Sequence, residues 1–88
     1  MIDRTAFVAE VLRLVGTPVV HMGRVPGQGV DCGGAILAPL WALGSTIECE
    51  DVYPPLPDAA VLEGILARFC NRLPLSDVRP GDVLQTYV

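Results

Sequence analysis

Apolar and polar positions along this chain fall into three helical blocks separated by irregular stretches rich in glycine and proline. In the first block Phe7, Val8, Val11, Leu12 and Val15 recur three and four residues apart, with Arg4, Glu10 and Arg13 between them. That spacing gathers the apolar side chains into one stripe, so a helix is predicted from Asp3 to Val15. Asp3 carries the short oxygen-bearing side chain that caps free N–H groups, and Gly16 can end the helix. The second block opens at Cys32 and runs through Ala35, Ile36, Leu37, Leu40, Trp41 and Leu43 to Gly44. Almost every position is apolar, which predicts a helix buried on most sides with Trp41 in the core. Pro39 has no N–H for the Ala35 carbonyl, so a kink or weak turn is expected there. In the third block Val61, Leu62, Ile65, Leu66 and Phe69 share one face, Asp58 is the predicted cap, and the helix should end near Asn71.

The stretches between the helices differ in character. Residues 16–31 hold Pro18, Gly23, Pro26, Gly27 and Gly29, the composition of a surface loop that approaches a ligand or partner closely. Residues 45–57 hold Glu48, Glu50 and Asp51, read as a solvated acidic loop, with weak cation binding as the alternative. The run Tyr53-Pro54-Pro55-Leu56-Pro57 that follows is stiff and extended, either a rigid connector or a docking segment. A turn through Pro74 to Arg79 leads to Pro80-Gly81-Asp82, and Val83 to Val88 reads as a strand. A single strand cannot pair its own backbone groups and needs partners from outside this sequence. The fold class is therefore α+β, three helices followed by one terminal strand, in a single domain spanning residues 1–88.

Charge narrows the function classes. Six arginines and no lysine stand against ten acidic residues, a net charge of −4, so the chain lacks the basic footprint of a nucleic-acid binder. A mean hydropathy of +0.47 is high, and it predicts surface hidden in an assembly. Yet the longest apolar stretch, Ala35 to Leu43, is far short of the roughly 20 residues of a membrane helix. No membrane insertion is expected, nor a signal peptide behind Met1-Ile2-Asp3-Arg4. The cysteines Cys32, Cys49 and Cys70 are odd in number and fit no zinc spacing, so a free thiol and a cytosolic site of assembly are expected. A metal or iron–sulfur site built from them and His21 has no support in the spacing, and no cofactor is predicted.

Cys32 is the candidate for chemistry. It follows Asp31 and a glycine-rich loop and begins a predicted helix, where backbone N–H groups and the helix dipole favour a thiolate nucleophile. Gly33 and Gly34 are expected to leave open space beside the sulfur, where a substrate backbone could approach, so Asp31, Gly33 and Gly34 are candidate substrate-binding residues. The plain alternative is a small buried cysteine at a helix start. His21 is the single histidine. It lies ten or so residues upstream, near enough along the chain for loop closure to bring it to Cys32 as a base. Capping of backbone groups or exposure to solvent is the alternative.

Gly16-Thr17-Pro18, Gly29-Val30-Asp31-Cys32-Gly33-Gly34 and Arg79-Pro80-Gly81-Asp82-Val83-Leu84 occur in an order and spacing that resembles the N-terminal half of the NlpC family of papain-like cell-wall cysteine peptidases. His21 and Gly23-Arg24 ahead of Asp31-Cys32 resemble the variant found in phage tail peptidases and gene-transfer-agent particles. The resemblance implies the helical half of a papain-like domain, with Cys32 as nucleophile on a peptide bond of the peptidoglycan stem and Gly81 to Val83 opening the first core strand. It also implies a histidine on a later strand, which residues 1–88 do not contain. Val19 stands where the family usually has tyrosine, Gly33-Gly34-Ala35 differs from the usual small pair followed by a large aliphatic residue, and Pro39 falls inside the cysteine helix.

Two functions follow as expectations. One is a tail-tip or tail-assembly component of a phage-like particle, inactive as this chain alone, partnered by other tail or virion subunits. The other is an active peptidoglycan endopeptidase whose base lies outside these residues.

Overall fold

The computed structural model describes residues 2–48, 53–54 and 59–85. The chain divides into two compact units, Met1–Cys49 and Glu50–Val88, where the sequence predicts one core.

In the first unit, α1 spans Arg4–Leu12, with the Asp3 side chain accepting from the Thr5 N–H. It is shorter than the predicted 3–15, because residues 13–16 form turns that end at Gly16 with φ +88°. Val15, predicted on the buried stripe, falls in these turns and is exposed, and so is Leu12 at the end of the helix. The loop that follows is not irregular throughout. Strands β1 (Arg24–Val25) and β2 (Gly29–Val30) pair antiparallel, with Arg24 opposite Val30 and Val25 opposite Gly29. Pro26 and Gly27 turn the chain between them, with Gly27 at φ +81° and the Gln28 N–H donating to the Val25 carbonyl. This is a type II turn, which favours proline at its second position and glycine at its third. The Thr17 Oγ1 accepts from the Gly27 N–H at 2.9 Å and pins the tip.

Helix α2 (Cys32–Ala42) is the element on which both α1 and the hairpin pack. Val30, Leu37, Ala38 and Pro39 form the buried cluster of this unit. The helix runs through Pro39, which is fully buried. At its end the Gly44 N–H donates to Trp41 O and the Ser45 N–H to Leu40 O, with Gly44 at φ +90°. These paired bonds are a Schellman stop and satisfy carbonyls the helix would leave open. Trp41 departs from the core placement expected for it. It is 39% exposed and its indole N–H donates to Ile47 O at 2.6 Å. An indole that needs an acceptor finds one at the edge of the unit more easily than among aliphatic side chains.

In the second unit Tyr53 is buried and Pro54 exposed, whereas Pro55 to Pro57 and the predicted cap Asp58 lie outside the described residues. Helix α3 spans Ala59–Phe69. Its apolar face is only partly covered: Leu62, Ile65 and Leu66 are half-buried, while Val61 is 40% and Phe69 44% exposed. A 3-10 turn follows at Leu75–Asp77. Residues 79–82 then repeat the proline–glycine turn, with Gly81 at φ +95°, the Asp82 N–H donating to Arg79 O, and the Asp82 carboxylate accepting from the Arg79 N–H. The Gln85 side chain donates to Ala59 O at 2.9 Å, tying the end of this stretch to the start of α3. The predicted terminal strand is not formed at residues 83–85, which join no ladder; residues 86–88 lie outside the described ones. The described strands are instead β1 and β2, inside the glycine-rich loop.

Candidate functional site around Cys32

Asp31 organises the corner from which α2 departs. Its backbone is extended (φ −105°, ψ −168°), the conformation of an N-cap residue. Its Oδ1 accepts from the Gly34 N–H at 2.9 Å and from Arg24 NH1 at 2.7 Å. Its Oδ2 accepts from the Met22 N–H at 2.8 Å. Arg24 NH1 also donates to the Gly23 carbonyl at 2.8 Å. The ion pair is largely withdrawn from solvent, with side-chain exposures of 17% for Arg24 and 10% for Asp31. One carboxylate thus joins three pieces of chain: the 21–23 turn, β1 and the first turn of α2. The turn itself carries Met22 at φ +60°, a left-handed conformation uncommon outside glycine.

Glycines allow this corner to close. A Cβ added at Gly34 would fall less than 3.0 Å from the Gly23 carbonyl oxygen and 3.2 Å from Val30 Cβ. A Cβ at Gly23 would strike the Gly29 carbonyl, and one at Gly29 the Val20 side chain. The loop and α2 therefore meet backbone to backbone. This differs from the opening predicted beside the sulfur, since the space next to Gly34 is occupied by the protein's own Gly23 and Val30. Asp31, a candidate substrate contact by sequence, has both oxygens engaged by donors of its own chain. Gly33 is half-buried.

Cys32 takes the first position of α2 and is exposed as a free thiol. The plain alternative of a small buried cysteine at a helix start does not describe it. His21 is exposed and lies in the turn next to Met22. Because the Met22 N–H holds Asp31, His21 and Cys32 are each one residue from the two ends of a single hydrogen bond. Standard backbone dimensions then limit their Cα atoms to about 13 Å apart. Cys70 is a second exposed free thiol, just past the end of α3, and Cys49 lies outside the described residues, as do Glu50 and Asp51. Glu48 is exposed. Among the described residues no cluster of His, Cys, Asp and Glu could hold a metal ion, and no helix is long and apolar enough to cross a membrane. Arg24 as the partner of Asp31 has no signal in the sequence beyond a lone arginine ahead of an N-cap aspartate.

No protein-family model matches the chain, and no solved structure matches it. Among curated proteins it is similar to a probable endopeptidase of Mycobacterium bovis, 36% identical over 85 residues. Two probable endopeptidases of Mycobacterium tuberculosis match with the same identity. The match takes in 97% of this chain but only 19% of the length of each relative. The similarity supports a peptidase-like kind for the chain.

Proposed function

We propose that residues 1–88 are the nucleophile-bearing part of an NlpC-type cysteine endopeptidase acting on peptide bonds of peptidoglycan, with Cys32 as the nucleophile. The observation that carries this reading is the exposed thiol at the first position of α2, held by a capped and clamped helix start. A thiolate there has the helix N–H groups nearby and can attack a carbonyl carbon. The amine leaves with a proton from a general acid, and water then hydrolyses the thioester. His21 is the one imidazole of the sequence; the resemblance assigns the base to a histidine supplied from outside residues 1–88. Much of the roughly 10²–10⁴-fold from general acid–base catalysis depends on that group, so the chain alone should acylate more readily than it turns over.

The test separates these steps. An activated aryl ester of a short peptide needs no protonated leaving group, so peptide mapping should find the acyl mass on Cys32 ahead of the other exposed thiol, Cys70, and Cys32→Ala should remove that faster addition. Acylation at an undiminished rate in Cys32→Ala, or none at Cys32 in the parent chain, refutes the nucleophile assignment. Release of stem peptides from purified peptidoglycan by the parent chain would show that it has its own base.

A second reading, a tail-tip or assembly component of a phage-like particle, is favoured by the exposed Val61 and Phe69 on α3. It predicts no Cys32-dependent acylation and co-purification with other particle subunits.

A further inference from the structure

The Arg24–Asp31 pair ties the glycine-rich loop to the residue directly before the candidate nucleophile. Asp31 precedes Cys32 directly, and its carboxylate bonds to Gly34, two residues beyond the thiol. A free carboxylate at that place would oppose a developing thiolate. Arg24 reaches it from β1 at 2.7 Å and simultaneously holds the Gly23 carbonyl, whose oxygen abuts the Gly34 backbone. The guanidinium therefore grips the carboxylate and the strand of backbone against which α2 starts.

We propose that Arg24 is a positioning residue for Cys32: it clamps and neutralises Asp31, so the thiol is presented beside a neutral pair at a fixed helix start. The inference rests on the nucleophile reading above. The other charged and titratable groups around α2 are few. The helix itself carries no charged residue, and β2 contributes only Gly29 and Val30. Helix α1 places Glu10 and the adjoining Arg13 with Ala38, Pro39 and Ala42, toward the far end of α2. His21, in the turn before β1, is the remaining titratable neighbour in sequence and carries no negative charge.

The test is the alkylation rate of Cys32 by iodoacetamide at pH 7, read by peptide mass spectrometry in the full chain, with Cys70 as internal reference. The reaction passes through the thiolate, so the rate reports the charge around the sulfur. Arg24→Gln uncovers the Asp31 charge and should slow Cys32 about threefold, the effect of one charge a few ångströms away in largely aqueous surroundings. Asp31→Asn removes the negative charge, keeps a side chain able to cap, and should accelerate Cys32 by a similar factor. Arg24→Lys restores the charge and should return the rate to the parent value. A role in folding alone would move Arg24→Gln and Asp31→Asn in the same direction, and that result, or no change in either, overturns the proposal. If circular dichroism shows Arg24→Gln unfolded, Asp31→Asn decides by itself, since an unaccelerated Cys32 contradicts the neutralising role. Failure of the underlying reading looks different: parent Cys32 would react no faster than Cys70 while the two variants still shifted in opposite directions.

Discussion

Gly34→Ala is the sharpest perturbation of the corner that presents Cys32. Alanine normally favours a helix over glycine by up to about 1 kcal/mol in its interior. Here the added methyl would lie less than 3.0 Å from the Gly23 carbonyl oxygen and 3.2 Å from Val30 Cβ. Both neighbours resist displacement: Gly23 is held by Arg24 on its carbonyl, and Val30 is buried. Overpacking against such surroundings costs about 1–3 kcal/mol. Any shift that relieves it lengthens the 2.9 Å capping bond from the Gly34 N–H to Asp31, a contact of the kind worth about 1 kcal/mol. The net expectation is a loss of about 2 kcal/mol, which for a domain this small lowers the melting temperature by about 8–16 °C. Gly64→Ala is the matched control, because a Cβ at Gly64 in α3 meets nothing within 4 Å; it should stabilise by up to about 1 kcal/mol. Thermal melts followed by far-ultraviolet circular dichroism compare the three chains. A Gly34→Ala chain melting at or above the parent temperature would refute the close backbone approach of α2 and the loop.

Two further substitutions or probes follow from the same contacts. Thr17→Val removes the hydroxyl that accepts from the Gly27 N–H at the hairpin tip and should cost about 0.5–1.5 kcal/mol in urea unfolding; an unchanged midpoint would mean that the tip is held otherwise. Trp41, 39% exposed and hydrogen-bonded through its indole, should be quenched readily by acrylamide, whereas resistance to quenching would restore it to the core.

Much of the helical framework was legible because its signals are local. Asp3 and Asp31 cap the helices they precede, Gly44 stops α2, and the face of Val61, Leu62, Ile65, Leu66 and Phe69 marks α3. The hairpin was not legible, since strands of two residues show no alternation to detect. Its visible trace was Pro26-Gly27, the same dipeptide chemistry that turns the chain at Pro80-Gly81. The site was legible in identity but not in arrangement. Cys32 could be picked out from its place behind an aspartate cap, yet the sequence does not show whether glycines leave space or admit neighbours. At Gly34 they admit Gly23, and Asp31 consequently serves its own backbone and Arg24. Trp41 was misplaced because hydropathy counts its rings and overlooks its N–H, which needs an acceptor. The expected strand from Val83 depends on pairing partners, and a pattern of residues cannot supply those.

The central claim is that Cys32 is set up as a nucleophile by its place at the start of α2. Cys70 offers the comparison within the same molecule, for it is also exposed and free but follows the end of α3, where its N–H closes on Leu66 O. Helix dipoles favour an anion at the first site and oppose one at the second. Competitive alkylation of the intact chain at pH 7, resolved by peptide mass spectrometry, measures the two rates together. The account predicts that Cys32 reacts several-fold faster than Cys70, with the difference shrinking as salt is raised; equal rates, or a faster Cys70, would contradict it.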